Sequence, residues 1–269
     1  MPDWSVRVPA SSANLGPGFD ALAVALAAHL VVEPAAGAGA HDSDPAVRAF
    51  RAAGGRGGLD VRATFPGGRG LGYSGAARVA GVLAALRQAG RIGVDARVEA
   101  LAHATRLEGH ADNVAASLVG GVVAVAGGRA VRVPLAIAPA VVVWVPARET
   151  STSASRSRLP ETVPFADAAF NIGRTAVLVA ALASGDVGAL RDATADRLHQ
   201  AARLAAAPES RRAIDDALAA GAWCAWLSGS GPSVAAFVDP PSAHAVATAL
   251  PDGGRAMVLQ IDDEGAVVT

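Results

Sequence analysis

Lysine is absent from this 269-residue chain, so all 23 of its basic residues are arginines. That absence excludes the lysine-bearing P-loop, and the pattern G-x-x-x-x-G-K-[ST] does not occur. Cysteine is nearly absent as well. The single Cys224 permits no internal disulfide and suits a reducing cytoplasm. With so few cysteines and six histidines, no spacing fits a zinc site. Charge is also scarce. Charged residues make up 17% of the chain, the formal net charge is -1, and no long basic run occurs, which argues against nucleic acid as a partner. The opening "MPDWSVRVPASS" lacks a basic region followed by an apolar core, so no secretory signal is expected. The apolar run "AVLVAALA" (176–183) is too short to span a membrane.

The chain is instead rich in apolar residues, at 52%, which is enough for one large domain or two modest ones with a real core. Alternating or continuous apolar stretches predict strands at 4–9, 59–65, 140–146 and 255–261, with 21–33 an apolar strand or mixed element. Helices are expected at 46–54, 74–89, 93–109, 165–184, 186–205, 208–220 and 240–250. Residues 113–128 read as a buried helical turn or two and then a strand, and 223–238 as strand, glycine turn, strand. The proline-punctuated "VPLAIAPA" (133–140) marks a boundary between two halves, 1–136 and 137–269. Interleaved helices and strands give an α+β fold.

Three glycine-rich segments stand out. "PASSANLGPGFDALAVAL" (9–26) follows a strand and offers Asn14 and Asp20 to a small polar ligand, or is a plain strand-to-turn connection. "PGGRGLGYSGAA" (66–77) opens a helix. Its glycines permit close approach, and backbone N–H groups with the positive helix end can bind phosphate without any lysine; the alternative is a loop that merely packs tightly. "LSGSGPSVAAF" (227–237) turns between two apolar strands, as a hairpin or as a close approach to another loop. Between them, "EGHADN" (108–113) sets Glu108, His110, Asp112 and Asn113 in six residues. Glu108 could serve Mg2+ as an oxygen ligand, or the acids could simply cap a helix end.

In this order the segments resemble the GHMP small-molecule kinases and, within them, the homoserine kinases. "VPASSANLGPGFDALAVAL" is similar to the family's first motif, "PGGRGLGYSGAA" to P-x-x-x-G-L-G-S-S-A-A, and "EGHADNVAASLVGG" to E-G-H-P-D-N-V-A-P-A-L-x-G-G. "TSASRSRLP" (152–160) resembles T-x-x-x-R-x-x-L-P, "DRLHQAAR" (196–203) resembles D-x-L-H-Q-P-x-R, and "LSGSGPSVAAF" resembles the third family motif. The resemblance covers residues 6 to 238. It implies an N-terminal ATP-binding domain containing a left-handed βαβ unit, a C-terminal ferredoxin-like domain, and an active site between them. It implies phosphorylation of the L-homoserine hydroxyl by ATP with Mg2+, a step toward threonine, in a cytoplasmic enzyme that can be a homodimer.

By motif position, Pro66, Gly68, Arg69, Gly70, Leu71, Gly72, Tyr73, Ser74 and Gly75 would wrap the nucleotide phosphates. Ser74 and Glu108 would hold Mg2+, and with Asp20 form the catalytic set. Asn14, Asp20, His110, Asn113, Arg156 and Arg203 would surround homoserine. An acid such as Asp20 suits the substrate ammonium, and the two arginines suit its carboxylate by bidentate pairing. The missing lysine rules out the Asp–Lys arrangement of mevalonate-kinase relatives. That leaves direct attack by the hydroxyl, or Asp20 as a base.

The chain also departs from the family pattern. Tyr73 stands where the family has the first serine, Gly75 where it has alanine, and prolines are missing from "HADN" and "HQAAR". Residues 33–46 are shorter than the family segment that helps form the adenine pocket, and the adenine-side asparagine has no clear counterpart near "DSDPAVRAF". Tyr73 is expected to pack toward the space this short segment leaves, with Ser74 facing the metal. These departures keep open a kinase for another small hydroxylated acid or alcohol, and an inactive metabolite-binding module.

Overall fold

The computed structural model describes residues 4–37, 39–150 and 152–269, with the side chains of 152 and 153 left aside. The apolar alternation at the start becomes β1 (Val6–Ala13), paired antiparallel with the long β2 (Leu22–Pro34). Their register shifts between Pro9 and Ala10, where the proline has no N–H to give the ladder. β3 (Leu59–Ala63), β4 (Val122–Ala126) and β5 (Arg129–Val133) extend this sheet. The two glycines between β4 and β5, Gly127 and Gly128, both take positive φ, as a tight hairpin turn requires. β5 was not expected as a separate strand. It is a mostly exposed edge strand, so it lacks the apolar run that marks a buried one.

Four helices accompany this sheet: α1 (Pro45–Ala52), α2 (Tyr73–Gln88), α3 (Val94–Glu108) and α4 (Asp112–Val119). α2 is buried along most of its length because alanines and glycines let the neighbouring backbones come close.

The proline-punctuated 134–139 links this sheet to a second one, formed by β6 (Ala140–Pro146), β7 (Cys224–Leu227), β8 (Val234–Val238) and β9 (Gly254–Leu259) in the order β7-β8-β6-β9. β6 is fully buried, as its continuous apolar run predicts. Cys224 on β7 is buried, and burial pushes its thiol pKa up to about 12. Trp144, Leu227 and Val238 share a core with α9 (Pro208–Ala219) and α10 (Ala243–Ala249). The last strand, β10 (Val267–Val268), does not join this second sheet but returns to pair with β1.

Helix α5 (Thr152–Arg156) forms inside the polar 148–158 segment. α6 (Phe165–Ser184) has the length and apolar composition to cross a membrane by those two measures. It also carries a buried Asn171, whose Nδ2 donates to Pro17 O (3.1 Å) and to Asp196 Oδ1 (2.7 Å), tying the helix to the first glycine-rich loop.

The single helix expected at 186–205 is two, α7 (Val187–Ala193) and α8 (Gln200–Leu204). Asp196 causes the break, because its carboxylate accepts from the backbone N–H groups of Leu198, His199 and Gln200. A side chain that offers the backbone an alternative to helix bonds starts a new helix rather than continuing the old one.

Candidate active site

The three glycine-rich loops, far apart in sequence, interlock. Gly229 N–H donates to Ala13 O (3.2 Å), and Asn14 Nδ2 donates to Gly229 O (3.0 Å). Ser228 Oγ donates to Gly70 O (2.6 Å) and lies 2.8 Å from Ser12 Oγ, which accepts from Trp226 Nε1 (2.9 Å). Ser11 N–H donates to Leu71 O (3.1 Å). These loops line an open cavity of about 280 Å³, together with Asp20, Ser74, Glu108, His110, Asn113, Arg156 and Arg203.

The 66–75 loop is shaped by its glycines. Gly72 (φ +66°) is the residue before α2, and a Cβ on it would sit 2.1 Å from Ser11 Oγ. A Cβ on Gly70 (φ +78°) would sit 2.3 Å from Ser228 O. Only glycine fits either place. No side chain caps the start of α2, and Gly72, Tyr73 and Ser74 at that start line the cavity. Gly68, Gly70, Leu71, Gly72, Tyr73 and Ser74 line the cavity, whereas Pro66, Arg69 and Gly75 do not. The Arg69 side chain turns away, donating to Pro146 O (3.2 Å) and Ala147 O (3.0 Å) and meeting Glu149 (3.2 Å), so it ties the loop to the second sheet. Gly75 lies against Asn113, where an added Cβ would stand 3.1 Å from the Asn113 Cβ. Tyr73 is half-buried. It packs edge-on against Phe65 (6.0 Å between centroids) and donates to Asp44 Oδ2 (3.3 Å) at the end of the short 33–46 segment. Burial, and then the Asp44 charge, raise its pKa.

Ser74 Oγ donates to Glu108 Oε2 (2.9 Å). An oxygen-only pair at the mouth of an amide cradle suits a hard cation such as Mg2+, with phosphate oxygens and waters completing the shell. Both oxygens are also bonded to Arg78 Nη1. Burial lowers the Arg78 pKa, and the Arg48 charge on α1 adds to this.

His110, beside Glu108, continues the cavity wall into a second group of charges. His110 Nδ1 meets Asp112 Oδ1 (2.6 Å), and Asp20, His110 and Asp112 bring ligand atoms within 4.8 Å of one another. Asp20 adopts φ +55° in a loop where Asn14 (+74°) and Leu15 (+46°) also take positive φ, a strained conformation held by its hydrogen bonds. Both side-chain ends of Asn14 are used for this: Oδ1 accepts from Asp20 N–H (3.2 Å), while Nδ2 holds Gly229. Asn113 Oδ1 accepts from Ser11 Oγ (2.9 Å).

The arginines belong to the same group. Arg156 donates to both Asp20 oxygens (2.9 and 2.6 Å), and that bond raises its pKa. Arg203 is 5% exposed. Burial, aided by repulsion from Arg156, lowers its pKa to about 10, so it stays cationic at neutral pH. Its Nη1 donates to Gly229 O (3.1 Å) and to His199 Nδ1 (3.1 Å), while its buried Nε has no hydrogen-bond partner among the described residues. Arg203 nevertheless lines the cavity, so its positive charge faces whatever binds there. Both guanidinium groups lie over the Phe19 ring, at 5.4 and 5.2 Å from its centroid.

Asp112 and His199 were not among the expected site residues. Both lie within motifs that the sequence displays, "EGHADN" and "DRLHQAAR", so position in a motif was the available signal. His199 Nε2 donates to Gly16 O (2.8 Å) while Nδ1 accepts from Arg203, and this pattern requires the neutral ring. Burial lowers its pKa from 6.5, despite Asp196, Gly16 O and Asp20 favouring the charged form. A lowered folded-state pKa means the unfolded chain takes up the proton first as pH falls. Stability is therefore expected to decline as pH drops below 6.5, and His199→Gln should flatten that limb when Tm is followed against pH. Parallel Tm profiles for the two proteins would show that His199 is not the group responsible.

An amide cradle at a helix start, with a hydroxyl and a carboxylate beside it, is equipped to hold the phosphates and cation of a nucleotide. Residues 40–121 match the GHMP kinase N-terminal domain family, and residues 178–256 match the GHMP kinase C-terminal family. Homoserine kinase of Streptomyces avermitilis is 42% identical over 98% of this chain and 94% of its own length. That of Thermus thermophilus is 41% identical over 95% of both. The crystal structure of homoserine kinase from Cytophaga hutchinsonii superposes with a TM-score of 0.85 at 26% identity, covering 100% of this chain and 98% of the other. The chain belongs to the homoserine kinase family.

Proposed function

We infer that the protein transfers the γ-phosphoryl group of ATP to the hydroxyl of L-homoserine in the cytoplasm, giving O-phospho-L-homoserine and ADP, with the hydroxyl proton lost late to solvent or phosphate. The observation that carries this reading is the set of paired opposite charges lining the cavity beside the phosphate loop: the carboxylates of Asp20 and Asp112 next to His110, with Arg156 bonded to Asp20 and Arg203 close by. An amino acid brings one ammonium and one carboxylate, and the Asp20–Arg156 ion pair stands where such a zwitterion would exchange partners. The ammonium would take the carboxylates of Asp20 and Asp112, and the carboxylate would take the guanidinium groups of Arg156 and Arg203.

The backbone amides of the 68–74 segment and the start of α2 would hold the phosphates. Ser74 and Glu108 would hold Mg2+, which when bound neutralises charge on the phosphate oxygens. The remaining task is positioning. Phosphoryl transfer has a loose transition state, so aligning the hydroxyl with the γ-phosphate supplies most of the rate without a strong base. We assign nucleotide binding chiefly to residues 1–136 and place 137–269 in the second domain, with β10 returning to the first sheet.

The reading is tested by following ATP-dependent phosphorylation of L-homoserine beside L-serine and L-threonine. Homoserine is expected to be preferred by at least about tenfold in kcat/KM, since reach to the γ-phosphate depends on one methylene. Equal use of L-serine would shift the assignment to another hydroxylated amino acid, and no turnover of any of the three would favour a non-amino-acid acceptor.

A further inference from the structure

Arg78 follows Ser74 by one helical turn on α2, so the two side chains share a face. Its Nη1 bonds both Ser74 Oγ and Glu108 Oε2. The Glu108 side chain is 8% exposed, that of Arg78 is 23% exposed, and the second Glu108 oxygen lies 3.6 Å from His110 Nε2. A carboxylate this deeply placed needs a counter-charge. Among the arginines that line or adjoin the cavity, Arg69 is held at the end of β6, Arg156 by Asp20, and Arg203 by Gly229 and His199, whereas Arg48 acts on Arg78 through its charge and has no bond to Glu108. Arg78 does not line the cavity and reaches Glu108 from the helix side.

We propose that Arg78 is a built-in counter-cation of the Ser74–Glu108 pair, which a divalent cation must displace in order to bind. The nucleotide-free protein then holds divalent cations weakly. Phosphate oxygens tip the exchange, because they offer further ligands to the metal and a new partner to the displaced guanidinium. An ordinary i, i+4 bridge that merely stiffens the site makes the opposite prediction: removing Arg78 would loosen both oxygens and weaken metal binding. The proposal rests on the reading of Ser74 and Glu108 as metal ligands.

The test is titration of the full-length protein with Mn2+ alone, counting free ion by electron paramagnetic resonance. Arg78→Gln is expected to tighten Mn2+ by about tenfold or more, while Arg78→Lys, which keeps the charge, stays within about threefold of the parent. The gain must vanish in the R78Q/E108Q double variant, because Asp20, His110 and Asp112 also offer ligand atoms to a cation. A gain that survives in the double variant, or R78Q binding Mn2+ no better than the parent, overturns the proposal. Should R78Q fail to fold, Arg78→Met keeps the aliphatic stem and carries the same expectation. Glu108→Gln separates the two levels of the argument. If its complex with a non-hydrolysable ATP analogue binds Mn2+ like the parent's, the ligand reading itself falls. If E108Q abolishes binding while R78Q leaves it unchanged, the ligand reading stands and the role of Arg78 falls.

Discussion

Arg203→Met is expected to lower kcat/KM for homoserine by about 10²- to 10³-fold, nearly all of it in KM, which corresponds to about 3–4 kcal/mol of binding. The magnitude follows from burial. Arg203 already bears the cost of desolvation in the ligand-free protein, and its pKa near 10 leaves it charged. An incoming carboxylate therefore meets a dry, oriented donor rather than a hydrated one. Because Nη1 is held by Gly229 O and His199 Nδ1, the guanidinium is fixed in place where it lines the cavity. The substitution also removes the donor to those two acceptors, which costs about 1–3 kcal/mol of stability, so Tm should fall as well. Arg203→Lys separates the effects. It keeps the charge but not the fork, and should recover stability more fully than KM. A folded R203M enzyme with unchanged KM for homoserine would remove Arg203 from substrate recognition.

Much of this site was legible because its parts are local signatures. Glycines at 68, 70 and 72 ahead of an alanine-rich run pointed to a loop feeding a helix, and the structure puts that helix at 73–88 with no side-chain cap. β6 and α6 were visible as a continuous apolar run and as a long apolar helix. What escaped depends on contacts across the chain. Arg78 reads as an ordinary helix residue, since nothing within the helix shows that Glu108, thirty positions on, will lie beside it. Asp196 reads as a helix residue until its carboxylate accepts from the three N–H groups that follow it and so sets α8 apart from α7. Asn14 and Asp20 were both expected to face the ligand. Both line the cavity, but Asn14 also holds Asp20 and Gly229, a supporting role that the side chain alone does not reveal. The two-residue β10 carries no pattern of its own and exists because β1 has an open edge.

Asp20→Asn distinguishes the two remaining roles of that carboxylate. If Asp20 is the acceptor of the homoserine proton, the variant should lose kcat with little change in KM. The geometry favours the other outcome. Both Asp20 oxygens are engaged by the two Nη groups of Arg156, and Asp112 and His110 stand beside them, an arrangement that recognises charge rather than one that waits for a proton. The expected result is a loss of about 10²- to 10³-fold in kcat/KM, carried by KM, with kcat within about tenfold of the parent. The amide still fills the space and can accept from one Nη, but it no longer offers charge to an ammonium. A double-mutant cycle with Arg156→Met sharpens the point. When Asp20 and Arg156 act as a pair that opens to receive a zwitterion, the double variant loses less than the sum of the singles, because each single leaves the other charge unpaired. Strict additivity would mean that the two residues serve the substrate independently, and a collapse of kcat in D20N at constant KM would make Asp20 the base.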